Sequence, residues 1–585
     1  MVVAGQKFRA SRLISSLLYL QSLALFGIFS INLFPHFIRK LGSQINPKYI
    51  VSSEVATILI AACLFMSARG IKLRRRRAWI FATTLQLFLV VNSLIRSELL
   101  FFHGRKNVEL FVEELGISRL ALELTILILL LKFRKIFRTI VDPITRRRAV
   151  IFFLRNAILA IALGNIIVYF DAKSFTSTVN FTQAFEITIK GMVGISGPIT
   201  FVSIHLQERL ELFLGGLSLL LVLTSLAKFL KPAHRTTTLT SENALLVRKL
   251  LEKNPQSDSL SYFALRDNKT LVWAKNMKAA IPYSIVNGVM ITTGDPVGDQ
   301  ESWPSAIAAF LLEAELHAWI PAVYGCSEIA GEIWVRESGF DVLEIGDEAI
   351  LDIAQFTLDG SSMKNIRQTI NRINRLGYTA KSSFVRDLDD AQRSKLAANM
   401  QNWRRSETER GFSMALGRFC ASEDPDCLIT WAEQGGEILA VLQFVPWGDC
   451  SLSLDVMRRS PVSETGVNEL MIEETIAFAA VRGFESISLN FASFRSIFER
   501  GKKLGAGPIT RFNHKILLYL SRFFQMESLY RFNAKFQPLW KPRYVVFPGI
   551  SNLVKIGVAI LKIEAFIPDT KSFFRFGKKS KKFES

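Results

Sequence analysis

KFLKPAHR, residues 228–235, joins two kinds of sequence. Ahead of it lie apolar runs near 13–34, 50–68, 78–95, 117–133, 151–170 and 211–230, each close to the ~20 residues a helix needs to cross a bilayer. Behind it, from about 240 to 548, short β-like runs alternate with amphipathic helical ones, the pattern of an α/β fold. The join itself is basic. The chain therefore reads as a membrane α-helical bundle of about six spans (1–235), a cytosolic α/β domain (236–548) and a basic amphipathic tail (549–585).

Orientation follows from cations in the short connections. Lys7, Arg9 and Arg12 precede the first run, and Arg69, Lys72 and Arg74 to Arg77 separate the second from the third. Lys132, Arg134, Lys135, Arg138 and Arg146 to Arg148 separate the fourth from the fifth, and Lys228, Lys231 and Arg235 follow the sixth. With six spans all of these fall on one side, so the N-terminus and the large second half are expected in the cytoplasm. No chain of acidic or histidine residues marks an ion path through the runs. The segment 171–210 is expected to be an ordinary external loop, with a re-entrant piece as the alternative.

Charge is divided as sharply as hydropathy. Residues 1–235 carry 30 Lys and Arg against 11 Asp and Glu, residues 236–500 carry 25 against 36, and residues 501–585 carry 17 against 4. An acidic body with a basic tail ending in Lys578, Lys579, Lys581 and Lys582 suits an anionic membrane or RNA phosphates. Five cysteines without a CxxC pair fit a reducing compartment and offer no zinc framework.

In the second half, strands are predicted at 270–275, 285–292, 428–434, 437–446, 450–457 and 485–490, and helices at 303–316, 361–376, 388–402 and 467–481, with Ser302 as a helix N-cap. Along 361–376, Ile366, Ile370, Ile373 and Leu376 form a buried stripe. Lys364, Arg367, Arg372 and Arg375 share a sector of about 140° on the other side, either a solvated face or a site for RNA or lipid phosphates. Asp455 and Arg458 sit near the end of an apolar strand, where two charges should pair or meet a ligand; direct pairing would need a bulge. No GxSxG elbow, HExxH pair or Walker loop is present, which sets aside three common chemistries. TGDPVGD (293–299) and RGKKLGAGP (500–508) could approach a phosphate or simply turn.

GDPVGD (294–299), MKNIRQTINRINRLGY (363–378), ERGFSMALGRF (409–419), SLDVMRR (453–459), SLNFASFRSIFERG (488–501) and ESLYRFNAKFQPLWKPRYVVF (527–547) occur in this order. On these motifs the second half resembles the transferase domain of the multiple peptide resistance factor family, the aminoacyl-phosphatidylglycerol synthases, and in particular the membrane-plus-transferase part of actinobacterial lysyl-phosphatidylglycerol synthetases. The resemblance implies two tandem GNAT-like folds. It also implies transfer of an aminoacyl group, lysyl by likeness, from aminoacyl-tRNA to phosphatidylglycerol, with tRNA as co-substrate and without a cofactor or a metal. It places catalytic residues at Asp455, Arg458, Asn490, Lys535 and Tyr544, and substrate contacts at Glu469 and Arg543; the cations Lys364, Arg367, Arg372 and Arg375 join the expected substrate contacts from their shared helix face alone. Absence of a fused synthetase domain implies a separate lysyl-tRNA synthetase. The residues alone leave open an alanyl or arginyl donor, a diacylglycerol or peptidoglycan-precursor acceptor, and, as a second alternative, a non-catalytic lipid transporter or scaffold.

Overall fold

The computed structural model describes residues 2–33, 54–102, 110–137, 143–170, 175–176, 178–193, 202, 204–229, 238–403, 411, 413–493 and 526–565. The chain forms two compact units, Met1–His234 with Glu315–Ala318, and Arg235–Ala314 with Trp319–Ser585. The basic tail after residue 565, the 500–508 loop and most of the 228–235 join lie outside the described residues.

The first unit is helical: α1 (Val2–Leu33), α2 (Glu54–Lys72), α3 (Arg76–Phe102), α4 (Leu110–Lys132), α5 (Pro143–Phe170), α6 (Phe181–Val193) and α7 (Ile204–Phe229). Over their described residues, all six apolar runs are helical. Among the described residues, three segments are long and apolar enough to cross a membrane: Arg76–Ile95, Ala149–Phe170 and Leu212–Phe229. Ile14, Leu18, Leu64, Leu89 and Ile126 pack α1 to α4 together. Meanwhile Ile158, Leu159 and Phe170 of α5 point outward, as on a helix apolar all round. The expected loop at 171–210 instead contains α6. Ala184, Ile187 and Gly191 recur at helical spacing, and a Cβ on Gly191 would stand 2.5 Å from Leu214 Cδ1, so the small residue lets α6 close on α7.

The second unit is built on a twelve-stranded sheet: β1 (Thr270–Trp273), β2 (Ala279–Val286), β3 (Val289–Thr293), β4 (Val297–Gly298), β5 (Ile320–Cys326), β6 (Asp341–Asp352), β7 (Tyr378–Phe384), β8 (Leu428–Gln434), β9 (Glu437–Trp447), β10 (Ser451–Arg459), β11 (Ser486–Ser493) and β12 (Leu539–Phe547). Around it pack α8 (Ser241–Lys253), α9 (Trp303–His317), α10 (Glu328–Ser338), α11 (Lys364–Arg375), α12 (Asp390–Asn402), α13 (Val467–Val481), α14 (Met526–Ala534) and α15 (Leu553–Ile563). The predicted strand 285–292 is really two strands. Asn287 and Gly288 both have positive φ, 52° and 75°, which makes them a tight hairpin turn. Ser302 does not cap α9; its hydroxyl donates to Asp299 at 2.7 Å in a short 3-10 turn before the helix.

A repeat is visible in the order of elements. β2 and β3 pair antiparallel, α9 crosses over to β5 parallel to β3, and α10 leads to β6; β9 and β10 pair antiparallel, α13 crosses over to β11 parallel to β10, and α14 leads to β12. The last strands are exchanged. The sheet order β5-β12-β6-β11 puts β12 against the first repeat's β5 and β6 against the second repeat's β11. One core, with Ile307, Phe310 and Trp334, lies under α9 and α10; another, with Ile366, Ile370, Ile373 and Met471, lies under α11 and α13. Across the sheet, α8, α12 and α15 close a third.

Candidate active site

β10 runs regularly against β9 until Leu454, which faces Phe444; Val456 then faces Gln443, so Asp455 is the extra residue of a β-bulge. A bulge re-aims its side chain. The Asp455 carboxylate accepts the Leu416 N–H at 2.8 Å and the Gln443 Nε2–H at 2.5 Å. Gln443 is itself fixed, donating to Arg418 O at 3.0 Å and accepting from Cys420 N at 2.7 Å. Asp455 is half-buried, held by neutral donors on two sides. Arg458, further along the strand, donates to Met400 O at 3.1 Å.

β11 follows β10 in parallel for only three residue pairs, Ser451–Ser453 with Ser486–Ser488. Past that point its register against β6 slips between Ser488 and Phe491, and Asn490 adopts φ +66°, a conformation asparagine tolerates better than most residues. The Asn490 Nδ2 donates to Leu454 O, bridging the two strands where they part, next to Asp455. Asn533, fully buried at the end of α14, donates from Nδ2 to Leu489 O at 3.4 Å. Because backbone carbonyls hold both amide nitrogens, the two Oδ1 atoms are turned away from them, and each is buried without a hydrogen-bond partner among the described residues. Glu469, in the first turn of α13 and 5% exposed, receives Lys535 Nζ at 2.8 Å. Two of the sequence-derived residues thus meet as an ion pair, while Lys535 keeps half of its side chain in solvent.

Arg543, expected on a substrate phosphate, lies elsewhere in character. It is 3% exposed and its guanidinium bonds both Glu348 Oε2 and Asp258 Oδ1, the latter at 2.7 Å, together with Gly325 O at 3.2 Å. A phosphate reaching it would have to displace two carboxylates. Burial works against the charged Glu348, yet Arg543 and the hydroxyls of Ser259 and Ser488 outweigh it and hold the carboxyl below its ordinary range. Asp295 of the GDPVGD motif accepts the Ser327 N–H at 2.8 Å, and its own burial, with Asp258 close by, pushes it up to about 7. Tyr544 packs instead against the core beneath α9 and α10.

The cations of α11 are divided. Arg367 donates to Leu358 O and Gly360 O, and Arg372 to Thr465 O at the start of α13, so both fasten the helix to its surroundings. Lys364 and Arg375 are exposed. Of the apolar stripe, Ile366, Ile370 and Ile373 are buried, whereas Leu376 is 45% exposed because it caps the helix rather than belonging to it. Sequence reading missed Asp258, Glu348, Gln443 and Asn533. Only Asn533 carried a local signal, standing two residues before Lys535 in FNAKF.

The family described as phosphatidylglycerol lysyltransferase, C-terminal, matches residues 248–547. The chain belongs to this family. The bifunctional lysylphosphatidylglycerol biosynthesis protein LysX of Mycobacterium marinum is 45% identical over 330 residues, covering 56% of this chain and 30% of the relative. LysX of Mycobacterium avium is 34% identical over 531 residues, 89% of this chain and 43% of the relative. The chain thus spans less than half the length of these relatives. A solved structure of L-PGS from Bacillus licheniformis aligns with 57% of this chain and 98% of its own at 21% identity and a TM-score of 0.49. The lysyltransferase-family region begins within α8 and ends with β12, so it holds Asp455, Asn490, Lys535 and Arg543 but not α15.

Proposed function

We propose that the chain transfers a lysyl group from lysyl-tRNA to a glycerol hydroxyl of phosphatidylglycerol at the cytoplasmic face of a membrane. The observation that carries this is the half-open Asp455 carboxylate at the parting of β10 and β11, within the lysyltransferase-family region. The second unit acts as two tandem GNAT-like folds, and the first as a six-span anchor with a cytoplasmic N-terminus. The tRNA ester is already activated, so the reaction calls for positioning rather than a cofactor.

The lipid hydroxyl oxygen attacks the ester carbonyl. The bond from that carbonyl to the tRNA ribose oxygen breaks, and the proton from the lipid hydroxyl ends on the ribose oxygen. Asp455 receives a donor ammonium, its direction fixed by the N–H groups of Leu416 and Gln443. Arg458 orients the strand end that carries it. Lys535 is exposed enough to meet a phosphate. Arg543 positions β6 and β12 rather than touching substrate. The product lowers the negative charge of the membrane and with it the attraction of cationic peptides.

Lipid mass spectrometry of a host lacking aminoacylated lipids, supplied with isotope-labelled lysine or alanine, tests this reading. A lysyl ester of phosphatidylglycerol is expected with the natural chain and not with Asp455→Ala. A labelled alanyl ester, or equal product from the variant at equal protein level, would overturn the donor or the site.

A further inference from the structure

α15 and the 3-10 turn before it, Ile550–Asn552, lie beyond the residues the family match covers. On one side of the helix, Ile556, Ala559 and Ile560 close the core over β2, β3 and β5. The other side presents Ile550, Val554 and Val558, exposed to 64%, 72% and 45%. Four-residue spacing lines Val554 and Val558 along one stripe of α15, and Ile550 stands ahead of it in the 3-10 turn. At 100° per residue Lys555 and Lys562 both lie within about 100° of Val554, on the same flank. An apolar stripe edged by lysines suits the boundary between acyl chains and headgroups, where the stems lie on the apolar side and the ammonium groups reach phosphates.

Charge points to the same occupant. After the helix the sequence has Lys571, Arg575, Lys578, Lys579, Lys581 and Lys582 against Asp569 and Glu584, interleaved with Phe573, Phe574, Phe576 and Phe583. Cations among aromatics complement an anionic bilayer surface. The helix is also bonded to the candidate site. Glu564, which follows α15 and is 2% exposed, accepts the Ser413 N–H at 3.0 Å, in the loop whose Leu416 N–H holds Asp455.

We propose that α15 is an interfacial helix docked on an anionic phospholipid bilayer, with Ile550, Val554 and Val558 at the acyl boundary and Lys555 and Lys562 at the lipid phosphates. This rests on the reading that the chain works at a membrane, but its test needs no aminoacyl transfer. The full chain, carrying a photoreactive phenylalanine analogue at Val554, at Val558 or at exposed Glu437 in the β8–β9 turn, is reconstituted in phosphatidylcholine vesicles with or without phosphatidylglycerol. On illumination, phospholipid adducts are expected at Val554 and Val558 roughly tenfold above Glu437, and more abundantly with the anionic lipid. Equal adducts at all three positions, no gain with anionic lipid, or adducts at Val554 and Val558 to protein alone would each overturn the proposal. Transfer activity with no lipid adduct would leave the lysyltransferase reading standing and remove this one.

Discussion

Arg543 and Lys535 come from the same short stretch, FNAKFQPLWKPR, and the fold uses them in opposite ways. Arg543 is enclosed with Glu348 and Asp258, at the place where the exchanged strands β6 and β12 lie side by side. Among the described residues Lys535 pairs with Glu469, and it keeps half of its side chain in water beside the parted strands β10 and β11. Both clusters keep a buried acceptor without a hydrogen-bond partner among the described residues, Asp258 Oδ2 in one and the Oδ1 atoms of Asn490 and Asn533 in the other; what divides them is solvent access, because an enclosed ion cluster holds a fold together and one open to water can meet a ligand. The contrast separates residues that a motif alone places together.

Breaking the enclosed cluster should have the largest effect. Arg543→Met leaves Glu348 and Asp258 buried without their cation and is expected to cost about 4 kcal/mol of stability. Thermal unfolding of the purified chain in detergent would show it as a lowered midpoint. Because Arg543 spans two carboxylates with a planar fork, Arg543→Lys should recover only part of that loss. A variant as stable as the natural chain would mean that the cluster is not what joins the two repeats.

Asp295 sharpens the same side of the comparison through pH. Its carboxyl is pushed up to about 7 by burial and by Asp258, against about 4 in an unfolded chain. Between those values the folded chain keeps a proton that the unfolded chain has released, so stability falls as pH rises through the window. Asp295→Asn keeps an acceptor for the Ser327 N–H and has no proton to lose. It should flatten that fall by about 3 kcal/mol from pH 4 to 7. Parallel stability profiles for the natural chain and the variant would show that Asp295 titrates normally.

On the open side, Asp455→Asn should lower the transfer rate about 100-fold, the loss of one charge-assisted contact to the donor, and cost about 1 to 2 kcal/mol of stability, because its amide NH2 must face one of the two N–H donors of Leu416 and Gln443. Initial rates with purified lysyl-tRNA and phosphatidylglycerol micelles would measure it. A fall in unfolding temperature as large as that of Arg543→Met would move Asp455 to the structural class with Arg543.

These two regions also differ in how legible they were. Asp455 and Arg458 stood out because charges at the end of an apolar strand are conspicuous, yet period-two alternation could not show that Asp455 is the extra residue of a bulge. Arg543 was recognisable as a motif residue only. Its partners Glu348 and Asp258 are 195 and 285 positions away, and the strand exchange that brings them together leaves no local pattern. The Asn287-Gly288 hairpin did have a local signal, but apolar residues on both sides made one strand of two. In the first unit α6 was hidden because its stripe relies on small residues such as Ala184 and Gly191 rather than large apolar ones.

The smallest expected effect divides α11 by the same criterion. Arg367 and Arg372 are tied to backbone carbonyls of neighbouring segments, so their loss should loosen the helix against the start of α13, where Gly466 would carry a Cβ 2.5 Å from Thr369 Cγ2. Lys364 and Arg375 face solvent and can serve long-range attraction to RNA. A Lys364→Ala, Arg375→Ala chain should therefore keep its unfolding midpoint and bind tRNA severalfold more weakly, with the slope of log affinity against log salt reduced by about 1 to 2. The Arg372→Ala chain should do the reverse, losing midpoint and keeping slope. If both variants changed the slope equally, α11 would be a single phosphate-binding face and the division between fastening and exposed cations would fail.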